Sequence, residues 1–200
     1  MKRIALLALL ALPLAAFANS IDTTNSGGSM AGSAAGMTLS GSNLIAVNGI
    51  NNKLITGTSL GSVSLSTGTL SGGSLQMGGT FNGGGSFVIT STGASGLPSG
   101  ALFTGSFSGP VTWTLVTLAN GTHNYTLSGA VSGTWFNGSA VFGATTQLTI
   151  NTGRGFFNGT TSISSGDTNI VTSVPEPGTL GLLGTGLVGI AGAMHRKFKS

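Results

Sequence analysis

Cysteine is absent from this 200-residue chain, and charge is nearly so: seven lysines and arginines and three acids make up 5% of the residues. No disulfide framework can hold the fold, and no thiol can act as nucleophile or soft metal ligand. Proline is scarce as well, whereas glycine counts 36. Low charge with 40% apolar residues argues for a chain that can build a core rather than a charged disordered tail. The formal net charge of +4 is misleading, because Lys2, Arg3, Arg196, Lys197 and Lys199 all sit near the chain ends. Between residues 19 and 174, Lys53 and Arg154 are offset by Asp22 and Asp167. A formally neutral body has no basic stripe to displace counterions from phosphate, which excludes nucleic-acid binding as a class.

Catalytic groups are equally thin. The body holds one histidine, His123, and its acids Asp22 and Asp167 fall in stretches that read as loops. His123 reads as an exposed strand residue beside a hairpin turn, with no Gly-x-Ser-x-Gly elbow to serve. Two distant carboxylates do not make a glycosidase pair, and one histidine without a carboxylate cluster does not make a metal site. Runs such as Gly83-Gly84-Gly85 lack the lysine and helix of a phosphate loop. The expectation is therefore a protein that is not an enzyme and takes no cofactor and no metal.

What is present is strand patterning. Residues 87–90, 102–107, 111–118, 123–127, 131–136 and 147–150 are rich in β-branched and aromatic residues. Val111, Trp113 and Leu115 alternate with Thr112 and Thr114, so one face of that strand is apolar. Asn120-Gly121 lies between two such runs and suggests a type I′ hairpin, with Asn82-Gly83, Asn137-Gly138 and Asn158-Gly159 as further turns. Helical periodicity is missing from the body. The reading is an all-β antiparallel meander over residues 44–173, closing into a sandwich or barrel. Residues 19–43, rich in Ser and Gly, read as a loop-like leader. An alternative for residues 45–75 is a partial β-solenoid, because Ile45, Ile50, Ile55, Leu60, Leu65, Leu70 and Leu75 recur every five residues. Trp113, Tyr125 and Trp135 read first as core; their alternative is a stacking platform for sugar rings.

The two ends carry processing signals. Residues 1–18 show a basic start, an apolar stretch and a small-x-small site at Ala16-Phe17-Ala18, the pattern of a signal peptide cut by signal peptidase. At the other end, Pro175-Glu176-Pro177 precedes an uncharged run, residues 178–194, and then His195-Arg196-Lys197-Phe198-Lys199. As a helix the run would reach about 25 Å, marginal for a ~30 Å hydrocarbon core, and the basic cluster fits a positive-inside stop. The two prolines hold the triplet extended outside the membrane, in a shape a processing enzyme can bind. This three-part arrangement resembles the PEP-CTERM sorting signal of bacterial exported proteins, over residues 174–200. The resemblance implies recognition of Pro175, Glu176 and Pro177 by a membrane-embedded exosortase, cleavage near them, and delivery to the cell surface or to an exopolysaccharide or biofilm matrix. It implies a destination and leaves the activity of the body open.

Overall fold

A computed structural model describes residues 20–171. Both stretches expected to carry processing signals, residues 1–18 and 174–200, lie outside these residues. The described chain forms thirteen strands: β1 (Ser20–Ser26), β2 (Ser29–Ser33), β3 (Gly36–Ile50), β4 (Lys53–Ser66), β5 (Leu70–Ser74), β6 (Gly78–Phe81), β7 (Gly84–Thr92), β8 (Ser99–Phe107), β9 (Val111–Thr117), β10 (His123–Trp135), β11 (Ala140–Asn151), β12 (Thr160–Ser162) and β13 (Ser165–Val171). A single 3-10 turn, Ala94–Gly96, joins β7 to β8. None of the described residues forms a helix long and apolar enough to cross a membrane.

Small polar residues on one face and branched or aromatic residues on the other give each long strand a single side to bury. Eight strands satisfy that demand by closing on themselves. The order β10–β11–β13–β1–β3–β4–β7–β8 returns to β10, and every pair in the ring is antiparallel. Closure removes the edges that an open sheet would expose. Inside the ring Leu44, Val47, Val63, Phe87, Ile89, Phe103, Val131, Leu148 and Ile170 are buried. Phe87 meets Phe103 and Phe107 edge-on, with ring centroids 5.9 and 6.0 Å apart. Each such side chain contributes about 1.5–3 kcal/mol on burial, which offsets the ordering of a glycine-rich backbone.

Two strands are too long for the ring alone. β10 runs along β11 on one edge, while its other edge is divided, His123–Ser128 pairing with β9 and Val131–Trp135 with β8. β3 divides in the same way between β2 and β1. At one end of the barrel these strands therefore carry branches, β9–β6–β5 and β2–β12. The branches cover a second aromatic cluster. Trp113 stacks on Tyr125 at 4.8 Å, and Phe157 meets Trp113 edge-on at 5.3 Å.

The wall formed by β3, β1, β13 and β11 also buries polar side chains among its apolar ones. Thr23, Asn25, Ser42, Thr146 and Thr168 are buried, at a cost unless each is hydrogen-bonded. Asn25 Nδ2 donates to Ser42 Oγ at 2.7 Å, and the hydroxyls of Thr146 and Thr168 lie 2.9 Å apart. Among the described residues no buried side-chain nitrogen or oxygen lacks a partner.

Several sequence expectations are corrected here. Residues 20–43 are not a leader: they form β1, β2 and half of β3, with Thr23 and Asn25 as inward residues, so the polar composition of this stretch concealed its strands. The five-residue period over 45–75 is not a solenoid. β3 and β4 form an antiparallel hairpin whose register shifts near Leu39, Leu44 and Asn48, and each bulge resets the alternation of faces. The Asn120-Gly121 turn is not type I′, because only Gly121 has positive φ. The Leu118 carbonyl accepts from the Gly121 N–H, and Leu118 N–H donates to Thr122, a three-residue loop repeated at Asn137-Gly138. Asn51 and Asn52 form the turn with positive φ at both positions, 54° and 55°, joining β3 to β4. Runs 123–127 and 131–136 merge into the single strand β10, apart from Phe136 beyond its end.

Close strand approach gives a test. A Cβ added to Gly61 would lie 1.8 Å from the Thr90 carbonyl oxygen on β7. Gly61→Ala should cost about 2–3 kcal/mol, seen as a lower urea midpoint at unchanged slope. An unchanged midpoint would mean that β4 and β7 do not approach this closely.

Candidate functional site

The position of the sorting segment follows from the register. Ser20 and Val171, the first and last residues of the ring, are direct partners across β1 and β13. Both ends of the body therefore leave the barrel at one end, opposite the branches, here termed the exit end. Pro175, Glu176 and Pro177 lie outside the described residues, as do Arg196, Lys197, Lys199 and the expected cleavage site at Ala16 and Ala18. Four residue steps separate Val171 from Pro175, which at about 3.3–3.6 Å per residue is at most about 14 Å. An enzyme reading the triplet must work close to the barrel.

A second feature lies on the outer wall. A groove of about 580 Å³ crosses five strands between β9 and β1 and includes Asp22, Asp167, Asn169, Gln147, Thr112 and Pro110 in its lining. Its rungs follow from pairing. Thr24, Asp167, Gln147, Ser128 and Thr112 stand opposite one another in succession across β1, β13, β11, β10 and β9. Asp22 pairs with Asn169 two rungs away, the next pair on the same face. Thr24 Oγ1 donates to Asp167 Oδ1 at 2.8 Å, Asn169 Nδ2 donates to Asp22 Oδ1, and the Thr112 and Ser128 hydroxyls lie 2.7 Å apart. The acids read as loop residues thus occupy adjacent strands and share one concave surface. Their meeting is a consequence of ring closure, and only strand parity at each end could have hinted at it.

The aromatic residues are placed elsewhere. Trp113, Tyr125 and Trp135 are all buried, so none presents a face on which a sugar ring could stack. Trp113 Nε1 donates to the Leu75 carbonyl and Tyr125 Oη donates to the Gln76 carbonyl, both at 2.7 Å. Tyr125 Oη also accepts from the Phe157 N–H at 3.1 Å, so one hydroxyl joins the β5–β6 turn to the β11–β12 loop. His123, expected to be exposed, is only 8% exposed and stacks on Phe156 at 4.3 Å. Its Nδ1 lies 3.0 Å from Thr117 Oγ1. That partner is a hydroxyl across a strand pair, and neither acid of the groove lies beside it. No group of three or more histidine, cysteine, aspartate or glutamate residues occurs together among the described residues.

Tyr125→Phe removes a donor and an acceptor from buried partners and should cost about 1–3 kcal/mol in chemical unfolding. A variant as stable as the parent would show that these bonds do not hold the branches.

No curated protein and no solved structure matches the chain. One family model does: the PEP-CTERM protein-sorting motif matches residues 173–197. The match begins just beyond the last ring residue and takes in the Pro-Glu-Pro triplet, the uncharged run and the first of the terminal basic residues. Such a motif implies export, delivery to the cell surface and exosortase as processing partner. That segment identifies the chain as one that carries a PEP-CTERM protein-sorting motif at residues 173–197, and the match does not extend into the barrel.

Proposed function

We propose that the chain is the precursor of a non-enzymatic surface or matrix protein, with the barrel as cargo and residues 174–200 as a removable address. Signal peptidase cuts after Ala18, residues 178–194 hold the precursor in the membrane, and exosortase reads Pro175-Glu176-Pro177. The observation that carries this reading is the spacing between fold and motif. β13 ends at Val171 and the motif match begins at residue 173, so cleavage near Pro175 costs the barrel no strand and no rung. A cargo of this kind survives its own processing. The non-enzymatic part is supported by the commitments of the polar groups: His123 stacks on Phe156, and the carboxylates of Asp22 and Asp167 each accept a hydrogen bond from a wall neighbour.

A second reading is favoured by the groove. Its carboxylates, amides and hydroxyls offer alternating donors and acceptors across the width of a polymer, the chemistry that recognises a hydroxylated glycan such as exopolysaccharide. On this reading Trp113, Tyr125 and Trp135 contribute stability, and recognition belongs to Gln147, Asp167 and Asn169.

Two measurements test these readings. Glu176→Ala should accumulate precursor in cells that process the parent chain, and mass spectrometry of the mature protein should find no Arg196–Lys199 peptide. An intact basic end in the mature pool would refute processing and leave a tail-anchored protein. For the groove, calorimetric titration of Gln147→Ala with a neutral polysaccharide should show affinity about tenfold below the parent, equivalent to about 1.4 kcal/mol. Equal affinities, or none in the parent, would remove the groove from consideration.

A further inference from the structure

Eight large apolar side chains of the body are exposed, and the strand register sorts them to its two ends. Met77, Val116, Leu118 and Phe156 lie at the branched end. Leu54, Phe136, Phe142 and Val171 lie at the exit end, with Leu54 and Phe142 each about two-thirds exposed. Around the ring these four follow β10, β11, β13 and β4. Phe136 stands just past β10, and Phe142 occupies a bulge between Val141 and Ala144, where Gly143 has φ 72°. Carrying the β11–β13 register on from Thr145–Asn169 brings Val171 opposite Gly143 and beside Phe142. Lys53, one of the two cations of the body, adjoins Leu54 at the same end.

Isolated apolar residues on a surface are ordinary, and the branched end has as many, together with Arg154. The tether is what separates the two ends. Seven residue steps join Val171 to Gly178, where the uncharged run begins, so the exit end lies within about 25 Å of whatever holds that run. If the run spans the bilayer, headgroups fill roughly 5–7 Å of that distance. A short tether converts a weak surface contact into an intramolecular one at an effective concentration in the millimolar range. A patch too small to bind a free barrel then suffices.

We infer that the unprocessed barrel sits exit end down on the lipid surface. Leu54, Phe136, Phe142 and Val171 enter the interfacial zone and Lys53 faces anionic headgroups. The Pro-Glu-Pro triplet is thereby kept at the interface, where a membrane-embedded enzyme works. Cleavage removes the tether, and the patch alone no longer holds the barrel. This inference rests on insertion of residues 178–194, and the experiment separates failure of the two.

Because the chain has no cysteine, one introduced cysteine carries one fluorophore. Ala140→Cys reports the exit end, Ala119→Cys the branched end and Gly186→Cys the uncharged run. The full chain is reconstituted in vesicles of phosphatidylcholine and phosphatidylglycerol containing brominated lipid as quencher. Quenching is expected at positions 140 and 186 and not at 119. The combined substitution L54S/F136S/F142S should reduce quenching at position 140 several-fold, leaving position 186 quenched and the unfolding midpoint unchanged. Quenching at 186 without quenching at 140 shows a barrel free above an inserted tail and overturns the inference. Equal quenching at 119 and 140, or no effect of the combined substitution, overturns it as well. An unquenched position 186 overturns insertion itself, and the docking with it.

Discussion

The barrel depends on the pairing of β1 with β13. Ser20–Ser26 and Ser165–Val171 are the strands furthest apart in the described chain, and together they make the last contact that turns a sheet into a ring. Without it β1 and β13 would each present an unpaired edge in a body with only four charged side chains to discourage association. Closing so long a loop costs entropy before any rung repays it, so the other antiparallel neighbours form at less cost. That one pairing also brings Asp22 beside Asn169, sets the two ends of the body side by side and fixes the exit end from which the sorting segment departs.

Excess length in two strands explains the rest of the architecture. β3 and β10 each serve two neighbours on one edge, and so each seeds a branch outside the ring. The branches need a core of their own, which Trp113, Tyr125 and Phe157 supply, with the Tyr125 hydroxyl joining two loops distant in sequence. The outer groove, bounded by Pro110 and Thr112 on one side and Asp22 on the other, runs from the β9 branch across the ring wall. A barrel of uniform strands would have no β9 branch to bound it.

Local features were legible and non-local ones were not. Val111–Thr117 shows its alternation plainly, since Trp113 and its neighbours point one way and threonines the other. β1 was invisible because its inward residues include Thr23 and Asn25, whose burial is tolerable only with partners from other strands, Ser42 of β3 for Asn25 and Thr168 of the distant β13 for Thr23. The Asn51-Asn52 turn was missed because an Asn-Asn pair is a weaker signal than Asn-Gly, although asparagine also tolerates positive φ. The period of five was real in composition and misleading in structure, since bulges in β3–β4 shift parity. Of the candidate sites, the sorting segment needs no fold to be read. The groove could not be read at all, because its acids come from opposite ends of the body.

The near absence of charge in the barrel has a consequence for the medium in which it works. Long-range attraction between surface ions weakens as salt rises, with a screening length of about 8 Å at physiological strength. A wall held by hydroxyls, amides, a backbone ladder and buried aromatic rings offers salt very little to screen. Such a body keeps its shape from dilute water to brine, and outside a cell the composition of the surrounding water is beyond the cell's control.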